Sequence, residues 1–184
     1  MTPTLKVACI GAGYFSQFHF GSWARIDRVK VVGACDVDQA KAAATGHPAY
    51  TDVVTMIEET IPDLLDVIVP PVAQAETIRA ALALGVRAII CQKPFCRDLK
   101  EARAIVAEAK SLGALLIIHE NFRFQPWYRA IKQALAEGAI GSVQQATFRL
   151  RPGDGQGPRA DLDRQPYFQK MERFLVHETA VHWI

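Results

Sequence analysis

Four features of the chain combine residue types and spacings that could do chemistry: Gly11-Ala12-Gly13-Tyr14-Phe15-Ser16, Asp36, Gln92-Lys93-Pro94 and His182. The first lies between an apolar, strand-like run and a stretch with helical spacing. Two glycines placed there can cradle a diphosphate. Gly11 lets the chain turn tightly, Gly13 lets phosphate oxygens approach the backbone, and the start of the helix offers N–H groups and a partial positive charge. Ser16 stands where such turns often carry a third glycine and is small enough for close helix–strand packing. Asp36, 20 residues after Ser16, ends the next apolar run, where an acid accepts hydrogen bonds from an adenosine ribose. A carboxylate there repels a 2′-phosphate, and only Lys41 lies near enough to attract one, so the pattern favours NAD over NADP. Lys93 follows a fourth strand-like run, Val86–Cys91, at the end where open α/β sheets place their ligands. It is either a substrate-facing ammonium or an ordinary surface lysine in a Lys-Pro turn. His182 is either a general acid–base or a packed histidine. Oxidation of a carbinol requires a hydride acceptor and a proton acceptor; the set could hold a nicotinamide cofactor for the first and offers a side chain for the second.

The elements that must position these groups alternate along the first ~120 residues. Strands are expected at Leu5–Ile10, Val29–Cys35, Leu64–Val69, Val86–Cys91 and Leu115–His119. Helices are expected at Tyr14–Arg25, Asp38–Thr45, Val53–Glu59 and Gln74–Leu84, with one more running from the Asp98–Glu101 capping pattern to about Ser111. Continuous apolar runs imply strands buried on both faces, hence a parallel, doubly wound α/β sheet of Rossmann type. After residue 121 the texture changes. Pro126 opens a helix that Gly138 closes, Val143–Arg151 alternates as a strand with one covered face, and 151–158, with three glycines and two prolines, reads as a loop. His177–Ile184 looks like the start of a helix. We therefore expect a dinucleotide-binding domain at 1–121 and, at 122–184, the beginning of an α+β second domain that is cut short. The aromatic residues Phe122, Phe124, Trp127 and Tyr128 are expected in an interdomain core, and Arg123, Arg149 and Arg151 are candidates for substrate contact.

Bulk properties exclude several classes. With 21 basic and 19 acidic residues among 184, scattered along the chain, there is no nucleic-acid footprint. No apolar run is long enough to span a bilayer. The N-terminus has no signal-like apolar core, and four cysteines without metal-ligand spacing read as free thiols in a cytoplasmic protein.

The ordered motifs resemble the Gfo/Idh/MocA oxidoreductases. The opening Gly11–His19 is similar to G-x-G-x-x-G-x-x-H, Val69-Pro70-Pro71 to the family's T-P-P/N turn, and Cys91-Gln92-Lys93-Pro94 to C-E-K-P. Glu120–Phe124 resembles the segment after the last Rossmann strand, Gly138–Val143 resembles G-x-I-G-x-V, and Glu178–His182 resembles D-x-G-x-H. The resemblance implies cofactor contacts at Gly11, Ala12, Gly13, Tyr14, Phe15, Asp36, Pro70, Pro71, Lys93 and Pro94, with Lys93 and His182 as catalytic residues and no metal. It implies an NAD(P)-dependent oxidoreductase acting on a sugar, inositol or related polyol, homo-oligomeric at full length. A non-catalytic NAD(P)-binding regulator or scaffold on the same fold is the alternative. Three positions depart from the pattern: Gln92 replaces the usual Glu, Gln74 stands where His is common, and Ala180 replaces Gly. The acid expected three residues beyond His182 falls past Ile184.

Overall fold

The computed structural model describes residues 3–147, Arg149, His177, Glu178 and Ala180–His182. Two compact units divide the chain at His119/Glu120.

The first unit is the expected alternation. Strands β1 (Leu5–Ile10), β2 (Val29–Cys35), β3 (Ala49–Tyr50), β4 (Leu64–Val67), β5 (Ala88–Gln92) and β6 (Leu115–His119) form one sheet in the order β3-β2-β1-β4-β5-β6. Every adjacent pair is parallel. Helices α1 (Ser16–Trp23), α2 (Gln39–Ala44), α3 (Val53–Thr60), α4 (Pro71–Ala83) and α5 (Leu99–Ser111) supply the crossovers. The winding reverses between β1 and β4, so the crevice at the carboxyl ends of these two strands is where such a sheet holds a ligand. β3 escapes the sequence reading because it is only two residues long, too short for any periodicity.

Local chemistry explains the boundaries. Asp38, Asp52 and Asp98 cap α2, α3 and α5 by accepting backbone N–H bonds, those from Thr55 and Glu101 at 2.8 and 2.9 Å. The capping pattern at α5 is only half realised. The Glu101 carboxylate turns to Arg97, accepting from its backbone N–H at 3.0 Å and its Nε at 2.9 Å. Helix α4 begins earlier than its apolar spacing predicts. Pro71 does not stop an element but opens one, at the first-turn position where its missing N–H costs nothing.

The core is built from strand residues and the inner faces of the helices. Leu65, Val67, Ile78, Ile89, Met56 and Ile105 are essentially inaccessible. All four cysteines are free and buried. Burial pushes the Cys35 thiol from 9.0 to about 11, with further contributions from Asp52 and Asp36. It pushes Cys96 to about 12, with Glu101 adding to the effect. Cys9 and Cys91 are also raised, first by burial.

The second unit contains a 3-10 turn at Phe122–Phe124, helix α6 (Pro126–Ala136) and a 3-10 turn at Ala180–His182. Residues 143–147 have no strand partner among the described residues, in contrast to the alternation expected over Val143–Arg151. A strand with one covered face needs a ladder beside it, and its period alone does not supply one. Phe124 and Trp127 are 64% and 56% exposed, not the core residues expected, because nothing among the described residues covers α6. Arg151 and the loop to residue 158 lie outside the described residues. No helix among the described residues is long and apolar enough to cross a membrane.

Two outcomes follow. Leu65→Ala, at a fully buried site, should lower the unfolding free energy by about 2–5 kcal/mol in urea titration, whereas Leu115→Ala, 58% exposed, should cost about 1 kcal/mol or less. The thiols ionise later in the folded chain than in the unfolded chain, so the stability that depends on them is complete below pH 9.0 and is lost as pH rises through about 11, a decline that replacing Cys35 by Ala should reduce.

Candidate functional site

Gly11 leaves β1 at φ +100°, and a Cβ there would meet the Ile68 carbonyl oxygen at 2.7 Å. Any side chain at this point would both strain the turn and push it off the segment that follows β4. Two residues on, the situation reverses: a Cβ on Gly13 would meet nothing within 4 Å. The glycine turn is therefore tight on the protein side and open on the other. Helix α1 begins without a side-chain cap, so no side chain fills its positive end. Ser16, nearly inaccessible, donates its hydroxyl to the Gly13 carbonyl at 2.6 Å and ties the turn to the helix's first residue. Tyr14 is exposed, and Phe15 packs its ring on Phe18 and on His19.

The Asp36 carboxylate faces this turn. Its Oδ2 accepts from the Ala12 N–H at 2.7 Å and its Oδ1 from the Asp38 N–H at 2.9 Å. Both oxygens keep further lone-pair directions for hydroxyl donors. Pro70 is exposed beyond β4, while Pro71 is buried in the first turn of α4.

Lys93 follows β5, half-buried, and the Lys93–Pro94 bond is cis. Two glutamines hold this turn. Gln92 Oε1 accepts the Lys93 N–H at 2.7 Å. Gln74, fully buried on α4, donates from Nε2 toward the carbonyls of Gln92 at 2.9 Å, Pro94 at 3.1 Å and Val69 at 3.2 Å. Its Oε1 accepts the Cys96 N–H at 2.7 Å. A single amide thus satisfies backbone groups on both sides of Lys93 and at the end of β4, groups that would be costly to leave unpaired.

Beneath the turn lies a buried polar cluster. Asp66 Oδ2, on β4, accepts from Trp23 Nε1 at 2.7 Å and lies 2.8 Å from His19 Nδ1. His19 Nε2 lies 3.1 Å from the Gln92 amide nitrogen, and the His119 ring meets His19 edge-on at 4.7 Å.

His182 belongs to the second unit. Its Nδ1 is 2.8 Å from both Glu120 oxygens, and its ring stacks on Phe122 at 3.9 Å and 12°. Glu120 also accepts the Phe122 N–H at 2.8 Å. A carboxylate on Nδ1 sets the tautomer that puts the ring's basic lone pair on Nε2, the arrangement a general base uses. The guanidinium of Arg123 sits 5.4 Å from the centre of the Phe124 ring.

The structure thus brings the glycine turn, Asp36, Pro70-Pro71 and Lys93 to the carboxyl ends of neighbouring strands in one unit. Sequence reasoning passed over Asp66, Glu120 and the bridging roles of Gln74 and His19. One signal was present, an aspartate in the middle of the otherwise apolar run 64–69. Among the described residues no group of His, Cys, Asp or Glu is arranged to hold a metal ion.

A reversed parallel sheet with an open glycine turn at its switch point, facing an acid on the next strand, defines a dinucleotide-binding Rossmann domain. Residues 5–120 match the model of the Gfo/Idh/MocA oxidoreductases, described as an oxidoreductase family with an NAD-binding Rossmann fold. The chain belongs to that family. It is 35% identical to a D-apiose dehydrogenase of Paraburkholderia graminis, over 96% of this chain and 47% of the relative. Against an inositol 2-dehydrogenase of Rhizobium meliloti it is 28% identical, over 97% of this chain and 57% of the relative. The crystal structure of an oxidoreductase from Agrobacterium radiobacter in complex with NAD+, L-tartaric acid and magnesium superposes with a TM-score of 0.82 at 27% identity, over 97% of this chain and 52% of that one. The chain therefore spans about half the length of the relatives it matches.

The two glycines should separate fold from binding. Gly13→Val, projecting into open space, should leave the unfolding free energy within about 0.5 kcal/mol while weakening NADH binding at least about tenfold. Gly11→Ala should instead destabilise the domain by about 1–3 kcal/mol. Urea titration and cofactor fluorescence, run on both variants, distinguish the two effects.

Proposed function

We propose that the full-length protein is an NAD(H)-dependent oxidoreductase that transfers hydride between the nicotinamide and a CH–OH carbon of a sugar, inositol or related polyol. The observation that carries this reading is the convergence on one sheet edge of an open glycine turn, an anchored acid and a half-buried lysine. The names of the relatives, an apiose and an inositol dehydrogenase, support the substrate class.

The residues present fit the cofactor. The space beside Gly13, which a Cβ would occupy, accepts a diphosphate against the start of α1. Backbone groups of Gly11, Ala12, Gly13, Tyr14 and Phe15 line the turn. Asp36, fixed by two backbone N–H groups, accepts the ribose hydroxyls and repels a 2′-phosphate, which favours NAD over NADP. Pro70, exposed beyond β4, is a candidate edge of the crevice, whereas Pro71 and Pro94 are buried and act by fixing the backbone of their turns. NAD, when bound, supplies a hydride acceptor. Lys93 is assigned to hydrogen-bond and orient the substrate, and His182, its Nδ1 held by Glu120, is assigned as a general acid–base acting through Nε2.

NADH titration, followed by energy transfer from Trp23, Trp127 or Trp183, should saturate below millimolar cofactor and at lower concentration than NADPH. No binding at millimolar NADH would overturn the reading. In the full-length protein, Lys93→Ala should reduce turnover of a polyol by about 10²-fold or more, a larger loss than any accompanying weakening of NADH binding. Cofactor binding without turnover of any polyol would instead indicate a non-catalytic sensor.

A further inference from the structure

Asp66 is fully buried in β4, next to Cys9 of β1 on one side and Ile90 of β5 on the other. A carboxylate in the middle of a parallel sheet is expensive to desolvate and persists only where donors meet it. Two donors do so, Trp23 Nε1 and His19 Nδ1, both from α1. Oδ1 has no hydrogen-bond partner among the described residues, so the stabilisation of this group is concentrated on Oδ2. The proton positions follow from the partners. Lys93 N–H can only donate, so the Gln92 atom 2.7 Å from it is the amide oxygen. The amide NH2 of Gln92 therefore faces His19, and His19 Nε2, 3.1 Å away, must accept. Nδ1 then carries the ring proton and donates it to Asp66. The three hydrogen bonds that link the Lys93 N–H to Asp66 through Gln92 and His19 thus all donate toward the carboxylate.

We propose that Asp66, His19 and Gln92 form a buried orienting relay that fixes the backbone of Lys93 relative to the glycine-turn helix, and that the Gln92 amide locks His19 in the Nδ1–H tautomer. His19 and Gln92 are positioning residues, acting through the Lys93 turn. The phosphate cradle and the lysine are then linked through one imidazole, because His19 lies on the helix that the cradle opens. The importance of this relay rests on the reading of Lys93 as the substrate-facing group, but its geometry does not.

The test uses this chain. With 15N-labelled histidine, long-range proton–nitrogen correlations at neutral pH should show His19 as the Nδ1–H tautomer. The Nε2–H form or a doubly protonated ring would overturn the proposal without any variant having to fold. His19→Leu should speed amide exchange at Lys93 about tenfold, while His19→Gln, which can donate to Asp66 and accept from Gln92, should restore slow exchange. Unchanged Lys93 exchange in a folded His19→Leu chain, or no rescue by Gln, would also overturn it. Gln92→Glu should abolish the Nδ1–H signature, and persistence of that signature would contradict the assigned role of the amide. NADH titration of the same samples separates the two readings. A chain with the predicted tautomer that fails to bind NADH refutes the proposed function and leaves the relay standing.

Discussion

The approach of Gly11 to the Ile68 carbonyl is the constraint on which the site depends. Parallel strands leave their sheet at one end, and at the switch point the segments after β1 and β4 run side by side before parting to opposite faces. They can lie this close only if the first carries no side chain. That closeness sets the start of α1, and α1 in turn places His19 and Trp23 over Asp66. The geometry at Lys93 thus begins with a missing methyl group more than eighty positions earlier in the chain.

A second level of organisation is polar. The helices of the first unit pack on the sheet through apolar faces, but the loops that matter are held by buried amides and a carboxylate. Gln74 and Gln92 satisfy backbone groups at the end of β5 and in the turn just beyond it. In a low-dielectric interior such bonds are directional and costly to break, so they specify one arrangement where hydrophobic contact alone would tolerate several. In the second unit Glu120 serves His182 similarly, with Phe122 fixing the ring's plane.

The sequence made the topology legible because buried parallel strands write themselves as continuous apolar runs, and the glycine turn because its backbone requirements leave few residue choices. All five expected helices that cover the sheet lie within three residues of their expected bounds. α4 shows the largest difference, three residues at its start, because Pro71 punctuates a sequence whether it closes an element or opens one. β3 is held by pairing with β2 and carries no pattern of its own. The polar knots were hidden for a different reason. A Gln 18 residues from the carbonyl it holds, or an Asp 47 residues from its histidine, has no local signature, since the pairing exists only after the sheet has formed. Phe124 and Trp127 show the converse limit: an aromatic in the sequence marks surface that wants cover but says nothing about what covers it.

The Gln74 amide has a consequence for how this loop can diverge. Its two protons are shared among three carbonyls while its oxygen holds an amide N–H, so one side chain answers for four main-chain atoms across two strand ends. An imidazole at the same point offers at most two ring nitrogens and cannot reproduce that set. Exchange at position 74 would therefore take from the 92–96 stretch the partner that holds its backbone, so a graft of that stretch would have to carry residue 74 with it.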